Sequence, residues 1–170
     1  MNILESARLV FRKMTEEDLP ALKDIFCDEQ TMYDFGGAWS DEDVLAGLQK
    51  QLKSYRENGF GRWAVILKET GKLIGICGLM WDYINKNKVP ELGYFFNRAY
   101  WHKGYATEAA IACKKYAFDV LGYDEVYSIT TDNNIAAMNV AIRNGMLVRG
   151  KFSRNDKGED IQYLIFSVRK

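Results

Sequence analysis

The alternation of apolar and polar residues divides the chain into strands and amphipathic helices. Apolar residues at every second position predict strands at 8–13, 62–68, 73–81, 89–96, 125–130, 147–152 and 160–168. Apolar residues spaced three or four apart predict helices at 16–27, 40–58, 103–121 and 135–143. Short polar turns at 69–72 and 85–88 make the middle strands antiparallel, and a final hairpin is expected around 155–158.

The order of these elements predicts a mixed α/β fold. The strand at 125–130 follows a crossover helix, so it should run parallel to the strand at 89–96. The helix at 103–121 is expected to lie close to the sheet, because its predicted buried face consists of small and β-branched residues, namely Ala106, Ala110, Cys113, Ala117 and Val120.

The segment 28–39 is irregular and rich in aromatic residues. Two interpretations stay open for it. It is either a loop that folds its aromatic side chains onto the core, or a wall of a binding pocket, since loops on a rigid scaffold often carry specificity.

Composition narrows the possible functions. The length of 170 residues suits a single domain over 1–170. Lys and Arg number 23, equal to Asp and Glu, so no electrostatic attraction to nucleic acid or an acidic membrane is expected. No apolar run approaches the roughly 20 residues that span a bilayer, and the first residues lack the apolar centre of a signal peptide.

The cysteine and histidine content argues against disulfides and metal. Cys27, Cys77 and Cys113 are widely spaced in apolar runs, which is typical of a reducing cytoplasm. With His102 as the one histidine and no Cys-x-x-Cys, no metal-binding cluster is expected.

The stretch from residue 91 to 121 reads as a strand, a tight turn and a long helix. Gly104 can adopt backbone angles closed to other residues. The first N–H groups of a helix have no partner within it and carry a partial positive charge, so this turn is a candidate phosphate site, with His102 as a phosphate contact. The alternative is an ordinary strand-to-helix turn, because an isolated Gly-x-Ala has many false positives.

The sequence WHKGYATEA, preceded by ELGYFF, resembles the acetyl-CoA motif of the GNAT N-acetyltransferases. It is most similar to the branch containing the ribosomal-protein N-terminal acetyltransferases. The family pattern Gln/Arg-x-x-Gly-x-Gly/Ala is kept at Gly104 and Ala106, whereas Trp101 stands at the Gln/Arg position. The resemblance extends from RLVFRKMTEEDL near the start to NGM at 144–146.

The resemblance implies a GNAT-like mixed, mostly antiparallel sheet flanked by helices. A central parallel strand pair should splay apart to receive acetyl-CoA, the cosubstrate, and no metal is implied. The pyrophosphate is expected on the N–H groups of the turn and the pantetheine arm along the end of the preceding strand. The implied cofactor-binding residues are Phe95, Phe96, His102, Lys103, Gly104, Tyr105, Ala106, Thr107, Asn134 and Ala137.

Asn134 matches the family asparagine and is expected to bond the pantetheine arm, to cap the following helix, or to do both. Glu91 is the candidate general base, acting through water; the alternative is a solvated carboxylate at a strand end. The family's usual proton donors are absent, since Ala141 and Ala137 stand where a tyrosine and a serine would. Water, a tyrosine from elsewhere or direct departure of the thiolate must then serve.

The resemblance therefore implies an acetyl-CoA-dependent N-acetyltransferase that acts on a primary amine within a ternary complex. The acceptor is a protein N-terminus or a small molecule, and a homodimer is left open. The two alanines favour an alternative, a non-catalytic acyl-CoA-binding module. A nucleotide-binding protein of another kind is disfavoured, because the chain lacks G-x-x-x-x-G-K-[ST].

Overall fold

An eight-stranded sheet forms the centre of the fold. The computed structural model describes residues 1–156 and 158–170. The strands are β1 (Asn2–Glu5), β2 (Leu9–Arg12), β3 (Arg62–Leu67), β4 (Leu73–Ile84), β5 (Asn87–Phe96), β6 (Glu125–Thr131), β7 (Leu147–Asp156) and β8 (Glu159–Arg169). The helices are α1 (Leu19–Phe26), α2 (Asp41–Glu57), α3 (Tyr105–Asp119) and α4 (Ile135–Arg143).

The sheet order is β1-β2-β3-β4-β5-β6-β8-β7. All neighbours are antiparallel except β5 and β6, which are parallel. The predicted mixed, mostly antiparallel sheet with one central parallel pair is therefore confirmed. Strand β1 was not predicted, because its four residues are too few to show a pattern.

Several boundaries differ from the sequence-based prediction, including those of α3, which runs from Tyr105 to Asp119 rather than over 103–121. The first helix begins with a 3₁₀ turn at Glu16–Asp18, and α1 follows it with a proline in its first turn. The β4–β5 hairpin is longer than predicted, because Asn85 and Lys86 form the turn by themselves with φ of 48° and 71°. Lys157 of the predicted final turn lies outside the described residues.

Two hydrophobic clusters fill opposite faces of the sheet. Helix α3 packs on one face, where Ala109, Ala110, Cys113 and Ala117 are fully buried. Helices α1 and α2 cover the other face. The predicted buried face of α3 needs correction at its two ends.

Ala106 is only half-buried, since it faces a cavity rather than the core. Val120 is 62% exposed, because α3 ends at Asp119 and the chain turns away there. Tyr105 and Ala109 are the buried residues of the first turns instead. The small-residue contact with the sheet is thus confined to the middle of the helix.

Strands β5 and β6 pair at a single position, Glu91 opposite Tyr127. Beyond it β5 continues to Phe96 without a strand partner on that side. The N–H of Asn97 donates to the carbonyl of Ile74 in β4, on the other side of β5. Because successive peptide groups of a strand point to opposite neighbours, those of Tyr94 and Phe96 face the gap between β5 and β6. The fold therefore leaves a free strand edge in the middle of its sheet.

Candidate active site

A cavity of about 380 Å³ opens where β5 and β6 diverge. This volume lies within the usual range for small-molecule sites. The end of β5, the 97–107 turn, the start of α4 and the segment 31–35 form its walls. Most of the predicted cofactor residues line it, namely Phe95, Phe96, His102, Gly104, Tyr105, Ala106, Thr107, Asn134 and Ala137.

The N-terminus of α3 faces this cavity without a side-chain cap. Gly104 is its N-cap residue, with φ of +79°, and offers no side chain to the first amides. By contrast, Ser40 and Asn134 cap α2 and α4 with side-chain oxygens. The free N–H groups at the start of a helix attract anions. The first turn of α3 thus has free backbone donors, and phosphate binding there stays a prediction.

Arg8 holds this turn in place, although the sequence identified it only as part of a strand. Its Nη1 donates to the carbonyl of Lys103 at 2.9 Å, and its Nε pairs with Glu108 at 2.7 Å. Its guanidinium also lies 4.4 Å from the centre of the Tyr105 ring. Burial alone would raise the pKa of Glu108, but hydrogen bonds from Arg8 and Ser6 lower it.

Lys103 contributes its backbone carbonyl to the turn by accepting from Arg8. Its ammonium lies 5.7 Å from the centre of the Tyr100 ring, and Lys103 is not part of the cavity wall. His102 is exposed, adopts a positive φ of 61° and lines the cavity.

Trp101 connects the turn to the free edge of β5. Its indole N–H donates to the carbonyl of Phe96 at 2.8 Å. The family pattern has Gln or Arg at this position, so a different donor occupies it in this chain. The bond satisfies the Phe96 carbonyl and leaves the amide N–H of that residue directed at the gap.

The start of α4 forms the opposite wall. The Asn134 side-chain oxygen accepts from the N–H of Ala137 at 2.9 Å, so the capping role of Asn134 is observed. Among the described residues, none accepts a hydrogen bond from the Asn134 amide nitrogen. The same side chain can therefore cap the helix and donate to a ligand.

Tyr94 crosses the gap between β5 and α4. Its hydroxyl donates to the carbonyl of Ala137 at 3.0 Å, and its ring lines the cavity. Burial raises the pKa of Tyr94, so the phenol keeps its proton.

Glu91 lies on the opposite face of β5 and is only 8% exposed. One of its carboxylate oxygens lies 2.8 Å from Nη2 of Arg62. Gly93 leaves room for this pair, because a Cβ at Gly93 would lie 2.4 Å from the same nitrogen. Burial raises the pKa of Glu91, and Arg62 opposes this effect. Glu91 is thus a buried, paired carboxylate that is not part of the cavity wall.

The segment 31–35 closes the outer side of the cavity. The Phe35 ring centre lies 4.7 Å from that of Phe95, which also contacts Phe26 at 5.1 Å. The loop therefore packs aromatic side chains onto the core, and part of it also lines the cavity. Its role in binding a substrate stays a prediction. Asp34 is half-buried in this wall and pairs with none of the described side chains.

Neither a metal cluster nor a membrane-spanning helix is present among the described residues. Within 1–156 and 158–170, no group of three His, Cys, Asp or Glu side chains is placed to hold a metal ion. No helix in that part of the chain is long and apolar enough to cross a bilayer.

Comparison with known proteins identifies related chains and folds. A family model described as "Acetyltransferase (GNAT) domain" matches residues 8–147. The chain is 32% identical over 129 residues to an uncharacterized N-acetyltransferase, p20, of Bacillus licheniformis, covering 74% of this chain and 71% of the relative.

Two solved structures share the fold. An acetyltransferase of the GNAT family from Bacillus anthracis superposes with a TM-score of 0.84 at 24% identity, covering 99% and 98% of the two chains. RimL, a ribosomal L7/L12 α-N-protein acetyltransferase solved with coenzyme A, superposes with a TM-score of 0.79 at 15% identity, covering 99% and 98%.

The raised pKa of Glu91 predicts a pH dependence of stability. A carboxyl whose pKa is higher in the folded state stabilises the fold fully below its unfolded pKa of about 4.3, and the contribution is lost as the pH rises through the folded pKa. Each tenfold difference between the acid dissociation constants of the two states is worth about 1.4 kcal/mol. Above about pH 4.3, urea unfolding should therefore show a smaller decline of stability with rising pH for Glu91→Gln than for the parent chain. The exposed Glu42→Gln control should retain the parent profile; a Glu91→Gln profile as steep as the parent's would contradict the prediction.

Proposed function

The chain belongs to the GNAT acetyltransferase family and is an N-acetyltransferase, and from that premise we propose that it acetylates a primary amine by direct attack within a ternary complex. One observation carries the proposal. The uncapped start of α3 and the free edge of β5 face the same cavity, so an anionic group and an extended amide chain find complementary partners side by side.

The diphosphate of acetyl-CoA is placed on the amides of the turn from Lys103 to Thr107. Arg8 fixes the conformation of this turn by bonding the Lys103 carbonyl. The pantetheine arm follows the free edge of β5, where the peptide groups of Tyr94 and Phe96 lack a strand partner. The amide nitrogen of Asn134 donates to the arm from the other side.

The Phe96 N–H is the proposed donor to the thioester oxygen. Attack by an amine places negative charge on this oxygen, and a preorganised backbone donor stabilises that charge. The Phe96 carbonyl is already held by Trp101, which fixes the orientation of this end of the strand.

The acceptor amine is proposed to enter from the Phe35 and Phe95 side. Asp34 attracts its positive charge in this wall, and the face of the Phe35 ring favours a cation as well. Glu91 takes the amine proton through water, since it is not itself in the cavity wall. A protein N-terminus and a small-molecule amine both satisfy these requirements.

Diphosphate binding at α3 predicts a specific effect of charge at Gly104. Gly104→Glu should weaken coenzyme A binding by on the order of 10- to 10³-fold, because a carboxylate near the diphosphate costs roughly 1–4 kcal/mol at 4 Å. Isothermal titration calorimetry measures this effect.

Gly122→Glu is the matched control, because Gly122 also has a positive φ, 73°, but does not line the cavity. It carries the same added charge and the same backbone strain, so coenzyme A should bind it as it binds the parent. Equal affinity of the Gly104→Glu variant and the parent would exclude the α3 site.

Acetyl transfer is tested by following free thiol with acetyl-CoA and a panel of amines. The panel contains polyamines, aminoglycosides and peptides with free N-termini, and at least one of them should release coenzyme A. Asp34→Asn should raise the KM for that amine about fivefold or more with little change in kcat, as expected for loss of roughly 1 kcal/mol of charge attraction.

The exposed Asp24→Asn control should behave as the parent. If none of the amines in the panel causes release of thiol, the result would count against the proposed function. A KM unchanged by Asp34→Asn would contradict the role of Asp34 in the acceptor site and leave the proposed acetyl transfer standing.

The proposed role of Glu91 predicts a loss of rate in Glu91→Gln. The kcat should fall about 10²-fold, in the range typical of a lost general base, while calorimetry shows unchanged coenzyme A affinity. Because the pKa of Glu91 is raised, the parent rate should decline as the pH falls through that pKa, and this decline should be absent from the variant. Turnover that is indifferent to the substitution would place the base elsewhere.

A further inference from the structure

Tyr94 lies beside the start of α4, which carries alanines at positions 137 and 141. Ala137 and Ala141 are one helical turn apart and therefore lie on the same face of α4. The Tyr94 hydroxyl contacts the carbonyl of Ala137, and its ring packs against the cluster that contains Ala141. Tyr94 belongs to β5, and its hydroxyl thus reaches the start of α4.

The alternation of β5 separates Tyr94 from Glu91. Glu91 and Phe95 point to the face that carries Arg62, while Tyr94 points to the face that carries α4. A thioester lying in the gap between β5 and β6 would therefore meet the amine on one face and release its sulfur towards the other. Tyr94 is the tyrosine on the sulfur side whose hydroxyl is fixed by a hydrogen bond within the cavity wall.

We propose that Tyr94 is the proton donor to the departing sulfur of coenzyme A, an inference that rests on the proposed acetyl transfer. As the bond between the carbonyl carbon and sulfur breaks, its electron pair goes to sulfur. The hydroxyl of Tyr94 turns from the Ala137 carbonyl, bonds the sulfur and gives up its proton. Solvent returns a proton to the phenolate. The amine proton leaves through water to Glu91, which releases it to solvent, so the exchange of protons balances.

The acidities of the Tyr94 phenol and the coenzyme A thiol determine how far the proton moves. A thiol of ordinary acidity has a pKa of about 8.5 and a phenol one of about 10, and burial raises the pKa of Tyr94 further. The proton therefore stays on the phenol until the charge on sulfur has developed. Hydrogen-bond donation to that charge supplies most of the acceleration. Because the phenol is the weaker acid, transfer of its proton to sulfur is completed only as solvent returns a proton to the phenolate.

Tyr94→Phe tests the inference, because it removes the hydroxyl and keeps the ring. With the amine that the parent acetylates, the kcat should fall about 10²-fold, while the KM for acetyl-CoA and the affinity for coenzyme A stay unchanged. Tyr116→Phe is the control. Its ring packs on Trp63 at 5.1 Å, outside the cavity, so removal of its hydroxyl should leave turnover unchanged.

A second experiment distinguishes two roles of the Tyr94 hydroxyl: proton donation to sulfur, and a purely structural hydrogen bond that connects β5 to α4. Mono- and difluorotyrosine placed at position 94 make the hydroxyl progressively more acidic. If the hydroxyl donates the proton, kcat should change in step with this acidity. The kcat values should not follow the thermal unfolding midpoints of the variants. Equal kcat for Tyr94→Phe and the parent would overturn the role of Tyr94 but not the proposed acetyl transfer. A loss confined to coenzyme A affinity would also overturn it. Absence of thiol release by the parent would overturn the proposed function and, with it, this inference.

Discussion

The site depends on the fact that β5 and β6 pair at one position, Glu91 opposite Tyr127, and then diverge. A β5 that continued to pair with β6 would use every backbone donor and acceptor on that edge, because paired strands satisfy their peptide groups mutually. The divergence of the two strands instead leaves the peptide groups of Tyr94 and Phe96 facing a cavity. The fold tolerates this edge because α4 and the 97–107 turn cover it, with hydrogen bonds from Tyr94 to Ala137 and from Trp101 to Phe96.

The start of α3 is the second group of unsatisfied donors at the same place. Its N-cap glycine provides no side-chain oxygen, whereas the N-termini of α2 and α4 are closed by Ser40 and Asn134. Arg8 and Glu108 stabilise the turn from outside and leave its amides free. Two sets of free backbone groups, one on a strand and one on a helix, thus meet in one cavity, which suits an acetyl-CoA with a diphosphate at one end and amides along its arm.

Charge and small residues then organise the two faces of β5. The buried Glu91 is held by Arg62, and only a glycine at position 93 leaves space for the guanidinium. On the other face, the Tyr94 hydroxyl donates to the carbonyl of Ala137 at the start of α4. The proposed base and the proposed acid consequently lie on opposite sides of one strand, which suits a reaction in which the amine enters on one side of the carbonyl and the thiol departs on the other.

The sequence by itself determined the class of fold, the order of the elements after β1 and the presence of a glycine turn before α3. These depend on local information: periodic apolar residues, Gly104 at a position that requires a positive φ, and the strand–turn–helix order. The tertiary structure decided which side chains meet. Arg8 lies far from the turn along the chain, Arg62 reaches Glu91 from another strand, and the hydroxyl of Tyr94 meets Ala137 across a gap. Such contacts depend on sheet register and strand divergence, which no local pattern encodes.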